Sequence, residues 1–469
     1  MNRQKELAKN TIILTVGKIC TQFVSFLLLP LYTSLLAPEE YGIVDLVNTY
    51  IVLLTPIFNW QFENGLFRFL LDYRNDEYKK KELFSTVFII NIVQAVLYIV
   101  LFCVFQKFIT LEYKIFLALD VVANIFLNTL LQFPRGVGKN TIYSIGSFLS
   151  ASMTVVFNVI FIAGFRWGAY GMFLATLLAK ASTCVYLFCA MKAWNYFSIK
   201  AYNSEMFKSV FKYSMPLVPN QLSWWVVGAS DRTIVSHFIS VFENGIYSVA
   251  NKFSTIYVTF YNIFNLSWTE SVSLHMNDGD RDDFLTDIIN TMFNLFAAVD
   301  VGIIACMPFV FGLMVNDKYG AAYYQIPILM IAVLFQVVVG LYSVIYVALK
   351  KSTEIAKTSF LAAIINIGVD LLLINYIGLY AASISTLVAY AAMAIYRYID
   401  VRKYVSVRLS YKNVCAAAFS VLVSVFAYYT KNMIVCSISL IYIILYAVIF
   451  NRAFLCSFMQ ELKLKLFKK

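Results

Sequence analysis

"NTIILTVGKICTQFVSFLLLPLY", residues 10–32, is long and apolar enough to cross a bilayer, yet it carries Lys18 in its interior. A charge at that depth is expensive in hydrocarbon, so a lysine kept there turns toward water, protein or a ligand. Thr11, Thr15, Lys18, Gln22 and Ser25 are spaced 4, 3, 4 and 3 residues apart, which puts all five on one face of a helix. Ile, Leu, Val and Phe fill the other faces. The segment therefore reads as a membrane helix whose polar stripe points away from lipid.

Similar apolar runs recur to the end of the chain. Of its 469 residues, 61% are hydrophobic and 13% charged, and the mean hydropathy is +0.74. Soluble domains carry about 25% charged residues, so the composition describes an all-α polytopic membrane protein. The first run lacks a small-residue cleavage site and is read as a retained helix. Apolar windows predict about fourteen spans, at 11–36, 43–67, 83–106, 115–134, 143–165, 168–191, 213–239, 245–268, 288–314, 326–349, 355–376, 378–396, 413–430 and 433–450.

With the N-terminus inside, the inner tails and loops hold 28 of the 37 Lys and Arg residues, and the outer loops hold five: Lys107, Lys114, Arg166, Lys318 and Lys431. This asymmetry predicts that both termini are cytoplasmic. It also accounts for the net charge of +11 without nucleic acid, and sets the basic loops against anionic membrane lipids. Eight cysteines are scattered without a CxxC pair and are read as small core residues. There are two histidines, and no HExxH, Walker A loop or GxSxG. The loops outside the membrane are short, so no enzyme, metal site or cofactor is expected.

The chain matches itself. "EEYGIVDL" at 39–46 pairs with "FENGIYSV" at 242–249, "GKNTIYSIGSFLSA" at 138–151 with "KKSTEIAKTSFLAA" at 350–363, and "WGAYGMFLAT" at 167–176 with "IGLYAASIST" at 377–386. The order is kept and the offsets stay near 210 residues. Two pseudo-symmetric six-helix bundles are expected, a lobe at 1–195 and a lobe at 205–405, followed by two extra helices and a basic tail at 410–469. Both lobes begin inside, so the repeats are parallel, with their axis along the membrane normal, and transporters place the substrate site at such an interface. Pro30, Pro56, Pro216, Pro219 and Pro308 supply kinks.

Four basic residues remain once the loops are counted: Lys18, Lys180, Arg232 and Lys252. Lys252 belongs to a second stripe, Ser248, Lys252, Thr255, Thr259 and Asn262, with the 4, 3, 4, 3 spacing of the first. The sixth span adds Thr176, Lys180 and Thr183; the seventh adds Gly228, Arg232 and Ser236. These cations are expected to line a shared cavity, with Gln22, Ser25, Thr176, Thr255 and Thr259 as its polar lining. Snorkelling or pairing with an acid is the competing reading for Lys18, Arg232 and Lys252. Lys180 lies near mid-membrane, out of reach of either surface. Glu63, Asp120, Asp231, Asp300 and Asp370 are expected to be buried. Ion pairing is their commoner use, while Asp300 and Asp370 are candidates for binding a coupling H⁺ or Na⁺.

A cationic cavity favours an anionic substrate, and phosphate suits such donors. Aromatic residues, with "QLSWWVVG" at 221–228 as one candidate, suit stacking on sugars. At this point the segments "LAKNTIILTVGKICTQFVSFLLLPLYTSLLAPEEYGIVDL" and "SDRTIVSHFISVFENGIYSVANKF" (230–253) resemble the polysaccharide-biosynthesis flippases (Wzx-type, O-antigen) of the multidrug/oligosaccharidyl-lipid/polysaccharide, or MOP, exporter superfamily. The resemblance implies a bacterial cytoplasmic-membrane flippase that moves undecaprenyl-diphosphate-linked oligosaccharide units to the outer leaflet by alternating access. It further implies service to an O-antigen, lipopolysaccharide or capsule pathway, with a polymerase and chain-length machinery as partners. The last two helices are similar to the extra pair of lipid II flippases, which help hold the lipid tail. The alternatives are a multidrug cation antiporter of the same superfamily, for which an acid-lined site is expected, and a membrane-embedded polysaccharide polymerase, which the short loops and two histidines disfavour.

Overall fold

The computed structural model describes residues 26, 28–109, 111–276, 278–349, 351–452 and 456. All regular structure among them is helical. The α-helices are α1 (Leu29–Leu35), α2 (Pro38–Asn59), α3 (Phe62–Asp72), α4 (Glu77–Phe105), α5 (Lys114–Gly136), α6 (Asn140–Asn158), α7 (Gly168–Ala190) and α8 (Ser204–Ser214). They continue with α9 (Leu217–Phe238), α10 (Val241–His275), α11 (Arg281–Met314), α12 (Ile326–Ala348), α13 (Ser352–Ile377), α14 (Tyr380–Val401), α15 (Tyr411–Thr430) and α16 (Met433–Phe450).

Eleven described helices are long and apolar enough to cross a bilayer, which makes this a multi-pass membrane protein. The expected fourteen spans add the run at 11–36, most of which lies outside the described residues, and α9 and α10, which are long but more polar. Local chemistry sets several helix ends. Asp76, Asn203, Ser410 and Asn432 each accept a hydrogen bond from a first-turn backbone N–H of α4, α8, α15 and α16. The expected span at 43–67 is broken, because Trp60 and Gln61 adopt left-handed backbone angles (φ 52° and 56°) and separate α2 from α3. Pro56 and Pro308 sit inside α2 and α11, whereas Pro30 and Pro216 stand at helix starts.

The chain divides into two compact units at Ser248–Val249. In the first, α2 packs against α5 and α9, α3 against α5 and α8, and α6 against α7. Among the described residues its core includes a cluster around Phe84, Leu130 and Phe133 and another around Val47, Val121 and Phe173. The segment between α7 and α8 is pinned. Ser85 Oγ donates to Tyr196 O and accepts from Ser198 N, while Asn203 N donates to Thr86 Oγ1.

In the second unit, α12 and α13 both pack against α14, and α15 and α16 both pack against α11. Ala297, Val301, Ala417 and Ile443 form the core of that last group. Gly168, the first residue of α7, and Gly378, two residues before α14, are matched in sequence and both have φ of +56°, a conformation glycine adopts without steric penalty. The cysteines depart from expectation. Among those described only Cys436 is buried, and Cys103, Cys189, Cys415 and Cys456 are exposed. A thiol is apolar enough to face lipid as readily as core.

Candidate transport site

Lys18, Gln22 and Ser25 lie outside the described residues. The remaining candidates divide between the units: Thr176, Lys180 and Arg232 belong to the first, and Lys252, Thr255, Thr259, Asp300 and Asp370 to the second.

Lys180, on α7, reaches across to α5, where its Nζ donates to Asp120 Oδ1 at 2.8 Å. The Asp120 side chain is 1% exposed and that of Lys180 14%, so the pair is shielded from solvent but the lysine keeps a small accessible edge. Neutralising each other lowers the cost of placing both charges in low dielectric. Thr176, one turn before Lys180, is half-buried and donates to Met172 O.

Arg232, on α9, pairs with Asp45 of α2: Nε lies 2.8 Å from Oδ2, and both side chains are 17% exposed. Its Nη1 donates to Gly228 O at 3.0 Å. The neighbouring Asp231 accepts instead from the Tyr247 hydroxyl at 2.9 Å. Nothing in the sequence singles out Asp45. Its position four residues after Tyr41, on the face of α2 that meets α9, emerges only from packing. Trp225, a candidate for sugar stacking, donates its indole N–H to Thr49 O at 2.9 Å and so joins the same helix contact.

In the second unit, the α10 stripe runs from half-buried Lys252 through exposed Thr255 to exposed Asn262, and the Thr255 and Thr259 hydroxyls donate to backbone carbonyls one turn back. Asp300 (α11) and Asp370 (α13) are fully buried. Both Asp300 oxygens lack a hydrogen-bond donor among the described residues. Glu63, Asp120 and Asp231 are buried as expected.

A further buried cation, Arg397 of α14, reads from the sequence as part of an inner loop. It is fully buried, donating to Thr358 Oγ1, Ser359 Oγ, Ser343 Oγ, Ile355 O and Val339 O. Neutral oxygens of α12 and α13 satisfy its donors, so it pins three helices together and leaves little capacity for a ligand. The hydroxyls of Ser343, Thr358 and Ser359 in otherwise apolar helices were the available signal.

Beside α15 the second unit carries a cleft of about 510 Å³. Phe335, Val338, Ile395, Tyr398, Val414 and Val421 line it, and its walls are almost entirely apolar. Such a surface accepts hydrocarbon.

This all-helical fold has counterparts among solved membrane-transporter structures, all at low sequence identity. It is similar to an inward-facing multidrug resistance MATE family transporter of the MOP superfamily (TM-score 0.70, 14% identity, covering 82% of this chain and 94% of that one). It is also similar to the lipid II flippase MurJ in an inward closed conformation (TM-score 0.66, 16% identity, 96% and 100% covered). An outward-facing MATE transporter matches with a TM-score of 0.59 at 15% identity, covering 85% and 96%. No curated protein matches the sequence. The family model described as polysaccharide biosynthesis protein matches residues 7–268, more than half the chain, and the protein belongs to that family.

Proposed function

We propose that this protein is a flippase for undecaprenyl-diphosphate-linked oligosaccharide repeat units, carrying them from the cytoplasmic to the outer leaflet of the bacterial inner membrane for surface polysaccharide synthesis. The observation that carries this reading is the family membership of residues 7–268, joined to shielded cations within apolar helices at Lys180 and Arg232. A diphosphate with attached sugars cannot cross hydrocarbon alone, because each buried charge or unpaired hydroxyl costs several kcal/mol. Paired lysine and arginine side chains offer replacement contacts without leaving a bare charge when the substrate is absent. The diphosphate then competes with Asp120 and Asp45 for them.

In this reading, lobes at 1–195 and 205–405 alternate in access around a cationic cavity that also includes Lys18 and Lys252. The helices after residue 410, with the apolar cleft, hold the polyprenyl tail. Both termini are cytoplasmic. Asp300 and Asp370 are the candidates for binding a coupling cation. A polymerase and chain-length machinery are the expected downstream partners. The test is Lys180→Ala with lipid-linked units followed in spheroplasts. Transfer to the outer leaflet should fall, and undiminished transfer removes Lys180 from the mechanism.

A further inference from the structure

The two matched segments "EEYGIVDL" and "FENGIYSV" meet each other in the fold. A Cβ placed on Gly42 would overlap the Val241 carbonyl oxygen and lie 2.9 Å from Gly245 N. A Cβ placed on Gly245 would overlap the Pro38 carbonyl oxygen and lie 3.1 Å from Gly42 N. Each glycine thus faces the carbonyl four residues before the other. That reciprocity is an isologous contact, the signature of a local two-fold relation between the two segments. The Lys and Arg distribution puts this end of α2 and of α10 at the outer surface, where an outward-opening pathway must part.

The crossing brings backbone against backbone at both glycines. Its hold comes from polar fasteners around it. Asn244 Nδ2 donates to Gly42 O at 2.9 Å, Trp225 Nε1 to Thr49 O at 2.9 Å, and Arg232 lies 2.8 Å from Asp45. Asn244 and Gly42 O are fully enclosed, but the Arg232–Asp45 pair keeps an accessible edge. A diphosphate offers arginine a bidentate partner of higher charge than one carboxylate oxygen.

We infer that the Gly42–Gly245 crossing is the outer closure of the transport path and that Arg232–Asp45 is its latch, opened when the substrate's diphosphate takes Arg232 from Asp45. The inference rests on the flippase reading for the identity of the opening ligand; the closure itself rests on the crossing alone. Gly228, one turn inward of Arg232, is exposed, and a side chain there meets open space. Gly228→Cys in a cysteine-free background reports outer accessibility through labelling by a membrane-impermeant maleimide in spheroplasts.

Labelling should be slow in cells that make no lipid-linked units and rise when the units are made. Asp45→Asn should raise the unstimulated rate about tenfold, equivalent to ~1.4 kcal/mol of lost closure, and erase the further response to units. Gly245→Ala should raise it as well, and Asn244→Ala serves as the milder variant if the alanine at Gly245 lowers expression. Unchanged labelling in Asp45→Asn and Asn244→Ala overturns the closure. Faster labelling in the variants with no response of the parent to lipid-linked units keeps the closure and overturns the substrate-driven latch. A transport assay on the same Gly228→Cys parent decides the flippase reading separately.

Discussion

Removing Lys180 alone should cost stability that removing it together with Asp120 largely restores, while both changes have the same consequence for transport. Asp120 is fully buried on α5, its Oδ1 takes the 2.8 Å bond from Lys180, and its Oδ2 has no partner among the described residues. Lys180→Ala therefore strands a carboxylate in low dielectric, and breaking a buried pair from one side costs about 3–5 kcal/mol. Replacing both with apolar residues of similar volume, Lys180→Met with Asp120→Leu, removes the desolvation penalty of two charges and should return stability to within about 1–2 kcal/mol of the parent. The assays are thermal unfolding of the purified protein in detergent and transfer of lipid-linked units in spheroplasts. The double variant should fold nearly as well as the parent and fail to transport. A stable double variant with normal transport refutes the assignment of Lys180 to the substrate and leaves the pair as a structural clamp.

Other perturbations separate architecture from transport. Arg397→Lys should lower the melting temperature, measured in detergent, because a single ammonium cannot satisfy the Thr358, Ser359, Ser343 and backbone acceptors that the guanidinium reaches. Ala418→Trp, filling the apolar cleft beside α15, should reduce transport in spheroplasts while leaving expression and melting unchanged. Gly168→Ala should destabilise by about 1–2 kcal/mol, read by the same melting assay, because it forces a side chain into a left-handed backbone position. Its Cβ would also overlap the Glu40 carboxylate, which accepts from Ala37 N at the start of α2. If Asp300 binds the coupling cation, Asp300→Asn should abolish the response of transport to an imposed ion gradient.

Much of this architecture is legible because bilayers leave few options. A chain that must satisfy its backbone within hydrocarbon is helical or a closed barrel, and long continuous apolar windows select the helix and mark where it runs. At one pair of matched positions, Gly168 and Gly378, the backbone adopts the same φ. Pairings between helices are less legible. That Lys180 finds an acid follows from the price of intramembrane charge, but the choice of Asp120, 60 positions away, is made by the packing of α5 on α7. Asp45 is inconspicuous because it stands near a helix start that already carries two other acids. Arg397 reads as a loop residue because a run of basic residues follows it, although its guanidinium turns back among hydroxyls of α12 and α13. The break at Trp60–Gln61 lacks a glycine to announce it.

The most direct measurement of the central claim is reconstitution of the purified protein in proteoliposomes with a polyprenyl-diphosphate oligosaccharide loaded in the inner leaflet only. A sugar-binding lectin kept outside the vesicles reads the outer leaflet. Lectin binding that appears only with the intact protein and fails in Lys180→Met with Asp120→Leu is the predicted result. Sugar that stays hidden from the lectin in vesicles holding folded protein, under every imposed ion gradient, contradicts the account.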